Sequence, residues 1–95
     1  MYAIVVRLDV LETEAVPSTE VIAETLRRAS DGGGRVEHVR AERQSAQVIA
    51  VAFVTAEDAE GALCLGECAA YTLIRSTPSL RLSSVRMLDR PPDPI

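Results

Sequence analysis

Lysine, asparagine and tryptophan are absent from these 95 residues, histidine occurs once, and aromatic residues make up only 3% of the chain. All ten basic residues are therefore arginine. Because Lys and Asn are both written with AT-rich codons, their joint absence points to a GC-rich, bacterial genome before it points to anion recognition. Fourteen acidic residues outweigh the arginines, leaving a formal charge of -4 and a pI near 4.9. A nucleic-acid backbone needs a clustered positive surface, and the scatter of Arg27, Arg28, Arg40 and Arg43 among Glu24, Glu37 and Glu42 argues against such a partner. Long apolar runs are missing as well. The longest are strand-like and fall far short of the ~20 residues that cross a bilayer. The N-terminus has no basic start followed by a long apolar stretch. A soluble, cytoplasmic chain without a membrane partner is the expectation. Cysteine is scarce too: Cys64 and Cys68 fall on one helical stretch, whereas the disulfides of small secreted domains join distant segments. Reduced thiols are expected.

What is present is a globular composition, with 47% hydrophobic and 25% charged residues. The length suits one core, placed in residues 1–88, and an extended tail at 89–95 carrying Pro91, Pro92 and Pro94. Alternation over Tyr2 to Val10 predicts a strand with Tyr2, Ile4, Val6 and Leu8 turned toward the core. Ser18 or Thr19 then caps a helix running to Ser30, with Glu20 in its first turn and Val21, Ile22, Thr25, Leu26 and Ala29 as its buried stripe. Gly32, Gly33 and Gly34 read as its C-cap and turn; they follow a helix rather than open one, so they do not form a phosphate loop.

Two further strands, Arg35 to Ala41 and Gln47 to Thr55, are joined by a hairpin loop at Glu42 to Ser45. The second of them is apolar on both sides. A capping-box pattern at Thr55-Ala-Glu-Asp58 starts a helix over Ala56 to Arg75, its core stripe being Ala59, Leu63, Gly66, Ala70 and Leu73. Pro78 precedes the fourth strand, Leu80 to Leu88, where the apolar parity switches and predicts a bulge near Ser83 and Ser84. The order is β-α-β-β-α-β, an α+β sandwich with a four-stranded antiparallel sheet and two helices on one face.

No spacing in the chain spells a catalytic or metal site, and no cofactor is expected. His38 has no second histidine to pair with, and Cys64 and Cys68 lack the short Cys-x-x-Cys spacing of zinc sites. His38 is retained as a titrating candidate. A helical wheel turns Cys64, Cys68 and Tyr71 away from the core, although free cysteine is usually buried. Three explanations stand: a wheel misread by a residue, a partner over that face, or reactive thiols.

The segment order resembles the ferredoxin-like superfold over nearly the whole chain. RNA-recognition motifs of that fold need aromatic platforms, and Gln47 to Val54 offers only Phe53. Its copper chaperones carry a Met-x-Cys-x-x-Cys loop where this chain has Leu11-Glu-Thr-Glu14. Its ACT domains place a glycine between first strand and first helix, and none precedes Pro17. The pattern is most similar to the dimeric α+β barrel proteins, which implies a sheet-to-sheet dimer. Both central strands are apolar on both sides, so the sheet face without helices is expected to be an interface, comprising Ala3, Val5, Arg7, Val48, Ala50, Ala52 and Val54. A non-enzymatic accessory or regulatory protein that forms a homo-oligomer or binds a partner protein or small ligand is the leading expectation. The alternatives are a small dimeric enzyme (a cofactor-free oxygenase or cyclase) using His38 in a cleft between sheet and helices, or a redox or metal sensor using Cys64 and Cys68.

Overall fold

The computed structural model describes residues 1–12, 15–28, 30–31 and 34–88. Strand β1 (Tyr2–Val10) leads to helix α1 (Thr19–Arg27), a two-residue strand β2 (Ser30–Asp31), the hairpin β3 (Gly34–Gln44) and β4 (Gln47–Thr55), helix α2 (Ala59–Ser76) and β5 (Leu80–Met87). The sheet runs β2-β3-β4-β1-β5, with every neighbouring pair antiparallel. The fold is therefore an α+β sandwich whose four long strands carry two helices on one face, compatible with the ferredoxin-like superfold. The first and third of the expected strands, β1 and β4, occupy its centre. The short β2 is an addition that the sequence did not foretell. The proposed tail at 89–95 lies outside the described residues.

Burial follows the pairing register. Ile4, Val6 and Leu8 on β1 face Ala52, Ala50 and Val48 on β4, and all six are buried beneath the helices. Ile22 and Leu26 of α1 and Leu65, Ala69 and Leu73 of α2 close the same core. Each fully buried Ile, Leu or Val contributes about 1.5–3 kcal/mol of transfer free energy. Gly66 is what lets α2 lie flat on the sheet: a Cβ there would stand 2.7 Å from Ile4 Cγ2.

Helix ends differ in detail from the sequence reading. Ser18 caps α1 as expected, its Oγ accepting from the Val21 amide at 3.3 Å. However, the helix stops at Arg27 with Arg28 as its C-cap, and Val21 is exposed. Of the glycine run, Gly34 opens β3 rather than capping a helix; Ala29, Gly32 and Gly33 lie outside the described residues. For α2 the cap is Asp58, whose Oδ1 accepts from the Gly61 amide at 2.7 Å, while Thr55 ends β4. A carboxylate can satisfy the free N–H groups of a first turn as well as a hydroxyl does. The buried stripe is Ala62, Leu65, Gly66, Ala69, Ala70 and Leu73, and Ala59, in the first turn, is exposed. The hairpin link is two residues, Ser45 and Ala46, because β3 continues to Gln44; Ser45 adopts the left-handed conformation at φ 50°.

Candidate interaction surface

No described element packs over the other face of the sheet. Four rows of side chains project there, fixed by the ladder registers. Gln44, Gln47, Asp9 and Arg81 form one end. Glu42, Ile49, Arg7 and Ser84 come next, followed by Arg40, Val51, Val5 and Arg86. His38, Phe53 and Ala3 make the fourth row. The apolar members, Ala3, Val5, Ile49, Val51 and Phe53, run up the two central strands and are only half-buried.

The residues expected at the interface divide between the two faces of the sheet. Ala3, Val5 and Arg7 do lie on this face. Val48, Ala50, Ala52 and Val54 do not: they are 0–4% exposed beneath the helices, and Ile49, Val51 and Phe53 take their place. The signal was available, because Gln47 and Thr55, the polar ends of β4, share parity with Ile49, Val51 and Phe53, whereas the other parity is unbrokenly apolar.

His38 is the second correction. The alternative enzyme reading requires it in the cleft between sheet and helices, partly buried. Instead it is exposed on the opposite face, its ring stacked on Phe53 with centroids 6.2 Å apart and planes at 28°. A register shift between Val36 and His38 causes this. Glu37 is the extra residue of a bulge, so Val36 and Val39 both reach the core while His38 is turned outward. The expected bulge on β5 works the same way: between Leu82 and Ser84 the register against β1 shifts, letting Leu82 and Val85 both face inward.

Electrostatically this face departs from the acidic character of the chain. Arg35 pairs with Glu37 at 2.8 Å and Arg81 with Asp9 at 3.3 Å. Asp9 also accepts from Gln47 Nε2 at 3.0 Å, so one carboxylate ties β4, β1 and β5 together. That hydrogen bond from Gln47, and then the Arg81 guanidinium, hold its carboxyl below the usual carboxylate range. Arg7, Arg40 and Arg86 make no ion pair among the described residues, and Glu42 is the one acid in their two rows. The acids of the helical layer, Glu20, Glu24, Glu57, Asp58, Glu60 and Glu67, lie on the far side. Two shallow hollows flank the apolar strip. One of about 320 Å³ is lined by Arg40, Glu42, Ile49, Val51 and Phe53, and one of about 300 Å³ by Val5, Arg7, Ser84, Arg86, Met87 and Leu88.

Cys64 and Cys68 are exposed on the outer side of α2, as the wheel has them, next to the exposed Tyr71. Glu60 and Glu67 lie within about a turn of Cys64, and the nearest arginine along the helix, Arg75, is two turns beyond Cys68. Among the described residues no cluster of three or more His, Cys, Asp or Glu is placed to hold a metal ion. No helix among the described residues is long and apolar enough to cross a membrane. Comparison with known protein families, with curated proteins and with solved structures finds no match for this chain.

Proposed function

We propose that this chain is a non-enzymatic accessory or regulatory protein that acts by assembling through the uncovered face of its sheet, with a second copy as the primary partner. The observation that carries this reading is the strip of Val5, Ile49, Val51 and Phe53, half-buried on a face that no described element covers. An apolar patch of this kind, rimmed by charged side chains, is the usual mark of an interaction site. Four strands of about eight residues present a footprint of roughly 19 by 27 Å. That is about 510 Å² in plan, smaller than the ~800 Å² per partner of a standard interface and in the range of weaker, reversible ones.

The test is sedimentation velocity across micromolar concentrations on the wild type, Val51→Asp and Arg7→Leu. The wild type is expected to sediment as a dimer. Val51→Asp places a carboxylate at the centre of the strip and is expected to be monomeric with an unchanged circular dichroism spectrum. Arg7→Leu removes a charge that lacks an anion and is expected to associate more tightly, since replacing an uncompensated buried charge with an apolar group is favourable. A wild type that stays monomeric at every concentration defeats the proposal.

A second reading, a thiol-based sensor, is favoured by one observation: two exposed cysteines one turn apart on α2. It predicts that alkylation or zinc alters the oligomeric state.

A further inference from the structure

The rows of the uncovered face also favour one way of joining two copies, an inference that rests on the self-association proposed above. Two sheets stacked with strands aligned can be related by a two-fold axis that runs along the strands or by one that crosses them. With an axis along the strands between β4 and β1, β3 of one copy lies over β5 of the other. Arg40 then meets the partner's Arg86, twice, and Glu42 faces the partner's Ser84 rather than an arginine. Like charges brought together across an interface are strongly penalised. With an axis across the strands, each strand lies over its own copy. If that axis falls between the row of Glu42 and the row of Arg40, Arg40 meets the partner's Glu42 and Glu42 the partner's Arg40. Ile49 meets the partner's Val51, and Arg86 meets the partner's Ser84, a hydroxyl that can accept from it.

The geometry points to this second arrangement: a two-fold dimer whose axis crosses β3, β4, β1 and β5 between residues 40 and 42, closed by two reciprocal Arg40–Glu42 pairs at its rim. Such an interface is isologous, the same patch meeting itself, as closed two-fold dimers require. It also gives a role to two side chains that have no ion-pair partner among the described residues of their own copy.

Charge reversal on an exposed edge strand leaves the core alone, so the test does not depend on a variant that fails to fold. Arg40→Glu and Glu42→Arg are each made, together with the double variant, and dimer dissociation is measured by sedimentation equilibrium at low and moderate salt. Each single variant is expected to dissociate about ten- to a hundredfold more readily than the wild type. The double variant restores the reciprocal pairs with their charges exchanged and is expected to recover most of that loss. Mixing Arg40→Glu with Glu42→Arg gives one copy with two acids facing one copy with two arginines, and is expected to yield a heterodimer tighter than either parent, weakening as salt rises. If the wild type dimerises but Arg40→Glu tightens it, the axis along the strands is the correct one. If neither variant changes dissociation, or the mixture fails to pair, this register is wrong while face-to-face assembly stands. A wild type that is monomeric throughout removes both.

Discussion

Gly66 shows how one missing methyl sets the distance between layers. It sits mid-helix, where alanine is worth roughly 1 kcal/mol more than glycine in propensity. Yet a Cβ there meets Ile4 Cγ2 at 2.7 Å and Cβ at 3.4 Å, and Ile4 is fully buried on a central strand with no room to retreat. Gly66→Ala is therefore expected to destabilise the fold by about 1–3 kcal/mol, the ordinary cost of overpacking, despite the better helix former. Chemical denaturation of the two proteins decides the sign. Asp9 offers a test of a different kind. Its folded-state pKa lies below the unfolded one, so its contribution is fully present above the ordinary carboxylate value of 3.8 and is lost as pH falls through the lower, folded value. Asp9→Asn is expected to lower stability in the neutral region and to leave it nearly unchanged well below about pH 4, so that the acid limb flattens, read by denaturant midpoints across pH.

Elements were legible to different degrees, for identifiable reasons. β1 and β4 were read to the residue because apolar alternation bounded by polar residues is a local signal. The parity switch at Ser83 and Ser84 announced the bulge on β5 because both halves of that strand are apolar enough to show it. The bulge on β3 stayed hidden although Val36 and Val39 stand on opposite parities, because a single valine before the switch is too short a run to set a parity. Its consequence, an outward His38, was hidden with it. The caps of α2 were misread because Thr55 and Asp58 both satisfy a cap pattern, and only pairing with β3 assigns Thr55 to the sheet. On the outer face of α2 the sequence wheel was right about the thiols. Both cysteines are expected to react with a small thiol reagent in the folded protein without denaturant, giving two equivalents. If α2 stands clear of the assembly surface, that labelling leaves the sedimentation coefficient unchanged; a shift in oligomeric state on labelling would instead support the sensor reading.

At the scale of the molecule the two faces of one sheet have been given different work. The helix-facing side sets small residues, Ala50 and Ala52 of β4, beside the larger Val6 and Ile4 of β1. The other side keeps larger side chains, Ile49, Val51 and Phe53, on β4 and surrounds them with arginine. Among the described residues the uncovered face sets Arg7, Arg35, Arg40, Arg81 and Arg86 against Asp9, Glu37 and Glu42, whereas acids outnumber arginines on the helical layer. Two such faces of like sign repel at long range, so the encounter of two copies face to face is expected to quicken as salt screens them. Which of the two apolar parities of β4 faces the helices is fixed by its pairing with β1, and its polar ends, Gln47 and Thr55, mark the outward one locally.

The central position of β1 also has a bearing on biosynthesis. It precedes both of its ladder partners in the order of translation, joining β4 at residues 47–54 and β5 only at residues 80–87. A nascent chain must therefore hold Ile4, Val6 and Leu8 unsheltered while most of the remaining polypeptide leaves the ribosome. Contacts so distant along the chain slow the final closure. The emerging segment thus has a long interval in which a holding chaperone could engage it.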